Sequence, residues 1–265
     1  MPNSSARQFE EELRERPQLG ICISYPAPGI IERIGAEWDW LWIDGQHGQM
    51  GYSDMLNLVR AAGLVRRPTI VRTPGHEADA IGLALDMLPA GVMVPMVENE
   101  DQARAIVRAA KFPPLGSRSY GGRRPIDMLD RGYAHTDRVQ PMLVCQIETP
   151  EGVDRAESIA AVEGVDVLFF GPDDMALRAG LAMDRPRPEG CFDKEFQAVA
   201  AAAAANGKLA GSVFATPEAV RHGVEWGYRL IVGGGDMTFL TAGSQEKSRH
   251  LRAVIPASSE KRGGC

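Results

Sequence analysis

The chain has 265 residues, of which 44% are hydrophobic and 24% are charged, and its formal net charge is -6 at pH 7. This composition is typical of a globular protein with a sizeable core, and the length suits one α/β barrel of roughly 250 residues. The negative charge argues against general nucleic-acid binding, and no apolar run approaches the roughly 20 residues that cross a bilayer. We therefore predict neither a nucleic-acid partner nor a membrane partner.

The first 18 residues are polar and acidic, so they predict an N-terminal helix or extension rather than a secretory signal. Residues 255–265 are expected to be a flexible tail. The cysteines form no Cys-x-x-Cys pair, which favours structural thiols in a reducing cytoplasm. They are Cys22, Cys145, Cys191 and Cys265.

Eight short apolar runs alternate with longer amphipathic stretches and predict eight strands. The runs cover residues 19–25, 40–44, 68–72, 91–97, 142–148, 165–170, 209–214 and 228–232. Their hydrophobicity is continuous rather than alternating, which indicates strands buried on both faces in a parallel sheet covered by helices.

The intervening stretches predict helices over residues 53–62, 77–87, 101–110, 151–161, 194–205 and 217–226. We expect Ser53 to cap the first of these and Asn206-Gly207 to end the fifth. No linker interrupts the alternation, so a single (β/α)8 barrel over residues 19–254 is predicted, with an open doubly wound sheet as the alternative. Residues 115–138 form an irregular insertion.

Polar side chains follow several predicted strands, and the carboxyl ends of barrel strands carry the active site. Glu148 follows strand five and Asp174 follows strand six, while His47 and Arg72 follow strands two and three. No lysine follows any strand, so a Schiff-base mechanism is disfavoured. Two carboxylates without cysteine suit a hard divalent cation such as Mg²⁺ or Mn²⁺.

Each of these groups also has a purely structural interpretation. The two acids could be ion-paired or cap helices, and Arg72 could be scaffolding. Gly233, Gly234 and Gly235 could cradle a phosphate or simply form a tight turn. A cluster of three arginines could bind a carboxylate or phosphate, contact a subunit, or be solvated. Its members are Arg118, Arg123 and Arg124.

The ordered motifs at and around these residues are specific when taken together. They are WIDGQHG at residues 42–48, VRTP at 71–74, ALDMLPAGVMVPMV at 84–97, FPPLG at 112–116, VCQIETPEG at 144–152 and VEGVDVLFFGPDDM at 162–175. On these motifs, from about residue 19 to residue 240, the sequence resembles the HpcH/HpaI family of class II pyruvate-dependent aldolases.

The resemblance implies a TIM barrel in which Glu148 and Asp174 bind a divalent cation, either Mg²⁺, Mn²⁺ or Co²⁺, that pyruvate chelates. It implies a proton-handling dyad of His47 with Asp86, and an oxyanion-stabilising role for Arg72. The remaining implied site residues are Gln146, Gly171, Pro172, Asp173 and Val213, which bind substrate, and Asp44 and Gln46, which support the site. It also implies a homo-oligomer, a hexamer or trimer of dimers, with the C-terminal helix at residues 238–254 exchanged between subunits.

Two departures from the family pattern bear on the substrate. Gln46 stands where the family has an acid before the histidine, and residues 117–124 are arginine-rich, as in the branch that includes macrophomate synthase. We predict cleavage of a 4-hydroxy-2-oxo acid to pyruvate and an aldehyde. The alternatives are oxaloacetate decarboxylation or related carbon–carbon bond formation, an acyl-CoA lyase of the citrate-lyase type, and a barrel that binds a metabolite without catalysis.

Overall fold

Eight parallel strands form a closed barrel in which β8 pairs with β1. The computed structural model describes residues 6–135 and 140–255. The strands are β1 (Gln18–Ile23), β2 (Trp40–Asp44), β3 (Thr69–Arg72), β4 (Gly91–Val94), β5 (Met142–Ile147), β6 (Val167–Phe170), β7 (Leu209–Val213) and β8 (Tyr228–Gly235). The predicted (β/α)8 barrel is confirmed, with strand ends that differ by a few residues, and the open sheet is excluded.

Side chains alternate between the barrel interior and the helix-covered face along each strand. On β2, Trp40 and Trp42 belong to the interior cluster, whereas Leu41 and Ile43 pack with the helices. The amino-terminal end of the barrel is closed by helix α1 (Ala6–Glu15), whose Phe9 lies 6.4 Å from Trp40 between ring centroids. With this end covered, a functional site is expected at the opposite end of the barrel, where the strands have their carboxyl ends.

Eleven further helices surround or flank the barrel in the described part of the chain. They are α2 (Pro28–Ile34), α3 (Tyr52–Leu64), α4 (Ala78–Asp86), α5 (Glu100–Ala110), α6 (Arg123–Met128), α7 (Pro150–Asp154), α8 (Ala156–Ala160), α9 (Pro172–Arg178), α10 (Asp193–Ala205), α11 (Pro217–Glu225) and α12 (Asp236–Arg252). None of the described helices has the length and hydrophobicity needed to span a membrane.

Two predicted helix boundaries are wrong. Ser53 does not cap α3, because the Asp54 carboxylate accepts a hydrogen bond from the Gly51 N–H at 3.0 Å and the helix begins at Tyr52. The predicted helix over residues 151–161 is two helices, since Arg155 leaves the helical conformation at φ -108° and ψ 11°. Thr216 caps α11, where its hydroxyl oxygen accepts a hydrogen bond from the Ala219 N–H at 3.1 Å.

The insertion and the C-terminal helix lie outside the regular alternation. Residues 115–135 contain α6 and a 3-10 turn at Tyr133–His135, and the rest of the predicted insertion, residues 136–138, lies outside the described residues. Every residue of α12 after Asp236 is exposed, including Leu240 and Leu251. Met1 to Ser5, and the predicted tail from residue 256 to Cys265, are also outside the described residues; Cys22, Cys145 and Cys191 are free thiols.

Candidate active site

A small cavity of about 120 Å³ opens at the carboxyl ends of strands β2, β3, β5, β6 and β7. Except for Trp42 and Phe169, all the residues that line it are predicted site residues. The lining consists of Trp42, His47, Arg72, Gln146, Glu148, Phe169, Gly171, Pro172, Asp173, Asp174 and Val213. The closed barrel thus brings together residues that are up to 171 positions apart, between Trp42 and Val213.

Arg72 is a rigidly held cation at the end of β3. Its Nε and one terminal nitrogen donate to the two carboxylate oxygens of Asp44 at 2.9 and 2.7 Å, and its other terminal nitrogen donates to Gln146 at 3.4 Å. Both members of the ion pair are buried. Burial alone would raise the pKa of Asp44, but the hydrogen bonds and charge of Arg72 lower it below its ordinary value. Asp44 therefore remains ionised and fixes the guanidinium in the cavity.

Glu148 is a nearly fully buried carboxyl, 2% exposed, at the end of β5. Burial raises its pKa from 4.5 to about 7, and the negative charge of Asp174 adds to the rise. The N–H of Met96, which donates to Glu148 Oε1 at 2.8 Å, and the charges of Arg72 and Arg178 act in the opposite direction. Two neighbouring carboxyls are therefore crowded in a site of low solvent exposure, which a cation would stabilise.

The loop after β2 is organised by the same Asp44 carboxylate. Its Oδ1 accepts hydrogen bonds from the backbone N–H groups of Gln46 and His47, each at 3.1 Å. This turn presents His47 to the cavity, whose lining it joins. The Gln46 side-chain oxygen is buried and has no hydrogen-bond partner among residues 6–135 and 140–255. Gln46 therefore supports the loop through its backbone, not through its side chain.

Asp86 lies away from this cavity in the same chain. It ends α4, accepts a hydrogen bond from Arg118 at 3.0 Å, and lines a separate cavity of about 590 Å³. No hydrogen bond or ion pair joins Asp86 to His47 in the described structure. The predicted dyad is therefore not formed within one chain.

Comparisons with known proteins identify the family of this chain. A family model described as "HpcH/HpaI aldolase/citrate lyase" matches residues 27–242. The chain belongs to the HpcH/HpaI family. It is 37% identical to 4-hydroxy-2-oxovalerate aldolase of Novosphingobium aromaticivorans, over 94% of this chain and 96% of that protein. It is 34% identical to hydroxypyruvate/pyruvate aldolase of Delftia acidovorans, over 94% of each.

The crystal structure of macrophomate synthase has the same fold, with a TM-score of 0.80 at 24% identity, covering 95% of this chain and 90% of that one. At this identity the likeness concerns the fold alone. The aldolase relatives, in contrast, cover nearly the whole chain, and we conclude that this member of the HpcH/HpaI family is a carbon–carbon lyase.

The lysines of this HpcH/HpaI member agree with a mechanism that uses no Schiff base. Lys111 is buried, but its Nζ binds the Pro141 carbonyl oxygen and Asp166, which precede β5 and β6 at the amino-terminal side of the barrel. Of the lysines in the described chain, none lines the cavity. The prediction that no lysine lies at the strand ends beside the cavity therefore holds for the described residues.

Two other predicted features have structural explanations. Gly233, Gly234 and Gly235 belong to β8 rather than to a loop, and a Cβ on Gly234 would lie 2.8 Å from the Phe239 ring. Gly233 and Gly234 thus make room for neighbouring side chains, so their presence does not require a phosphate. The arginine cluster is partly neutralised, because Arg118 pairs with Asp86 and Arg123 pairs with Asp127.

Three features of the site were not predicted from the sequence. Trp42 and Phe169 form part of the cavity wall, with ring centroids 5.6 Å apart. Met96 has a left-handed backbone, φ 57°, which directs its N–H to Glu148. Both faces of β2 and β6 are apolar, so the sequence does not show which aromatic residues face the cavity, and no sequence signal points to a left-handed methionine.

Proposed function

We propose that this protein is a divalent-metal-dependent aldolase that cleaves a 4-hydroxy-2-oxo acid to pyruvate and an aldehyde. The observation that carries the proposal is the buried carboxyl of Glu148 beside the half-buried carboxyl of Asp174 and the fixed guanidinium of Arg72, in a cavity of about 120 Å³. The two relatives named above are aldolases of small 2-oxo acids by name, which supports the same substrate class.

Glu148 and Asp174 would hold the cation, and the residues present fit it. Both would bind through carboxylate oxygens, which are suitable ligands for Mg²⁺, Mn²⁺ and Co²⁺. A bound cation would also offset the repulsion between the two negative charges. The described chain has no cluster of three or more His, Cys, Asp or Glu at one point, so water and substrate would complete the coordination. When bound, the cation supplies Lewis-acid polarisation of the 2-oxo group.

The side chains of the cavity would carry out the proton and charge transfers. His47 accepts the proton of the 4-hydroxyl group, the C3–C4 bond breaks, and the aldehyde leaves. The electron pair of that bond gives the enolate of pyruvate, whose oxyanion is stabilised by Arg72. His47 would then return its proton, directly or through water, to C3, which yields pyruvate and regenerates the base. Asp44 and Gln146 hold Arg72 in place throughout.

Oxaloacetate decarboxylation reaches the same enolate by loss of CO₂ and is the second candidate activity. An acyl-CoA lyase receives less support, because a CoA site needs free cations for its phosphates. Of the three arginines in the cluster, Arg118 is buried against Asp86 and Arg123 is paired with Asp127, which leaves Arg124 as the one member without an ion pair among the described residues.

The test measures pyruvate release from 4-hydroxy-2-oxo acids and from oxaloacetate with Mg²⁺, Mn²⁺ or Co²⁺, and again after EDTA. We expect metal-dependent pyruvate formation that EDTA abolishes and added cation restores. Turnover that persists after complete removal of metal would contradict the proposal. Cleavage of CoA thioesters alone would favour the lyase alternative.

Cation affinity is expected to depend on pH through Glu148. The pKa of its carboxyl is raised to about 7, so in the metal-free protein the group becomes protonated as the pH falls through 7. Because the cation must then displace a proton, its affinity should fall about tenfold for each unit of pH below 7. Isothermal titration with Mn²⁺ between pH 5.5 and 8.5 measures this slope. A flat affinity over that range would show that Glu148 is not a ligand.

We further propose that the protein is a homo-oligomer in which Asp86 of one subunit pairs with His47 of another. Asp86 does not reach the cavity of its own chain, and α12 exposes apolar residues such as Leu240 and Leu251. Mixing inactive His47→Ala and Asp86→Ala proteins, after joint dissociation and reassociation, should restore activity well above the sum of the two. No recovery in mixed oligomers of normal size would refute the pairing.

A further inference from the structure

A second, larger chamber adjoins the active-site cavity at the ends of β6 and β7, and the reaction described above does not use it. Its volume is about 780 Å³, and Asp173 and Val213 line both the chamber and the smaller cavity. We infer that the chamber receives the group attached to the aldehyde carbon and selects an uncharged, apolar one. The inference rests on the proposed function, because it names the class of aldehyde in the same reaction.

The size of the active-site cavity explains why a larger substrate needs space outside it. About 120 Å³ is well below the roughly 300 Å³ at which ordinary small-molecule sites begin. Under the proposed function, the pyruvate half of the substrate lies there, against Glu148, Asp174 and Arg72. A bulky group on C4 therefore extends beyond this cavity, and the shared residues Asp173 and Val213 place the chamber at its edge.

The floor of the chamber is a cluster of aromatic rings at helices α10 and α11. Phe196 stacks on Trp226 with ring centroids 5.6 Å apart, and its centroid lies 5.3 Å from that of Phe214. Phe192 and Phe214 are buried in the core, so packing holds the floor in place. An apolar group that covers these rings gains free energy by leaving water.

The loop between α9 and α10, residues 179–192, forms one wall of the chamber. Both of its ends are anchored, since Leu181 packs against the core and Phe192 is buried. In its middle, the guanidinium of Arg187 forms an ion pair with the carboxylate of Asp173. This pair lies where the chamber meets the active-site cavity, because Asp173 lines both. The loop thus shapes the passage between them.

The charged side chains around the chamber disfavour an anionic substituent. The lining contains four acids and two arginines: Asp173, Glu189, Asp193, Glu218, Arg185 and Arg187. Because Arg187 is paired with Asp173, three acids and one arginine are left. A carboxylate on the aldehyde would meet this excess of negative charge, or would lie unpaired against the aromatic floor, and both are unfavourable. An uncharged apolar group has neither penalty.

Aldol addition to pyruvate tests the inference with two aldehydes of similar shape. In 4-methylpentanal an isopropyl group stands where 4-oxobutanoate has its carboxylate, and acetaldehyde is a reference too short to reach the chamber. Loss of pyruvate is followed with Mg²⁺ at pH 8. In the wild type, kcat/KM for 4-methylpentanal should exceed both other values at least about tenfold, because each buried apolar carbon contributes a factor of about four. Equal values for the two similar aldehydes, or a preference for 4-oxobutanoate, overturn the inference.

Ala219→Phe places a ring in the chamber from α11, where Ala219 is half-buried. The ratio of kcat/KM for 4-methylpentanal to that for acetaldehyde should then fall toward one. Ala201→Phe adds the same ring on the exposed face of α10, outside the chamber, and should leave the ratio unchanged. An unchanged ratio in folded Ala219→Phe overturns the inference, and if that variant does not fold, the wild-type comparison decides it. Wild-type protein that joins pyruvate to none of the three aldehydes contradicts the proposed function instead.

Discussion

Glu148→Gln is expected to lower kcat/KM for pyruvate formation by about 10³-fold, because loss of the Lewis acid removes several kcal/mol of transition-state stabilisation. The amide retains the shape of the carboxyl and one oxygen for the Met96 N–H, so the local backbone should be preserved. The variant should also lose the rise in melting temperature that Mg²⁺ or Mn²⁺ gives the wild type. Steady-state kinetics and thermal unfolding with and without cation measure both effects.

The same substitution should stabilise the metal-free protein at alkaline pH. The pKa of Glu148 is about 7 in the folded chain against an ordinary 4.5. Between these values the folded chain holds a proton that the unfolded chain has lost, so the free energy of unfolding falls as the pH rises from 4.5 to 7. At pH 8 the wild type should lack on the order of 3 kcal/mol that Glu148→Gln retains. At pH 4 the two metal-free proteins should be equally stable.

Glu151→Gln provides the matched control, since Glu151 is an exposed acid in the first turn of α7. It should change neither the kinetics nor the cation dependence of unfolding. Wild-type activity in folded Glu148→Gln, or a loss of the same size in Glu151→Gln, would exclude Glu148 as the principal cation ligand.

The fold of this chain was predictable because buried parallel strands are continuous apolar runs. The same continuity hides which residues face the barrel interior. In WLWID at residues 40–44 both faces of the strand are hydrophobic, so the sequence does not distinguish Trp42, which lines the cavity, from Leu41, which meets the helices. Apolar runs therefore locate the strands in the sequence. Which aromatic side chains face the cavity depends on how each strand is oriented in the closed barrel.

The site was predictable to the extent that strand ends determine it. Glu148 and Asp174 follow adjacent strands, so any closed barrel places them side by side. Asp86 follows no strand. The family motif marks it as a site residue but does not show how far it lies from His47. The donor to Glu148 was also hidden, because it depends on the left-handed backbone of Met96 rather than on a side chain.

Gly171→Ala is expected to lower kcat/KM by about 10²-fold while the barrel remains folded, since displacement of a reacting group by about 1 Å can cost this much. A Cβ at this position would lie 2.6 Å from Glu148 Oε2 and 2.9 Å from Gln146 Nε2. The backbone of Gly171, φ -103° and ψ 96°, is open to alanine, so the conflict lies with these two side chains rather than with the chain conformation. Glu148 has little freedom to move away, because Met96 binds its other oxygen.

A second glycine variant separates the steric effect of the added methyl group from its effect on backbone conformation. Gly29→Ala is the matched control, since a Cβ on Gly29 in α2 meets no atom within 4 Å. That variant should keep full activity and gain roughly 0.5–1 kcal/mol from the helix preference of alanine. If Gly171→Ala binds Mn²⁺ and forms pyruvate as the wild type does, the carboxylate of Glu148 tolerates displacement and cannot be the group that orients the cation toward the 2-oxo acid. If Gly171→Ala loses cation affinity and activity together, the two acids at the ends of β5 and β6 can act on one ion only because residue 171 has no side chain.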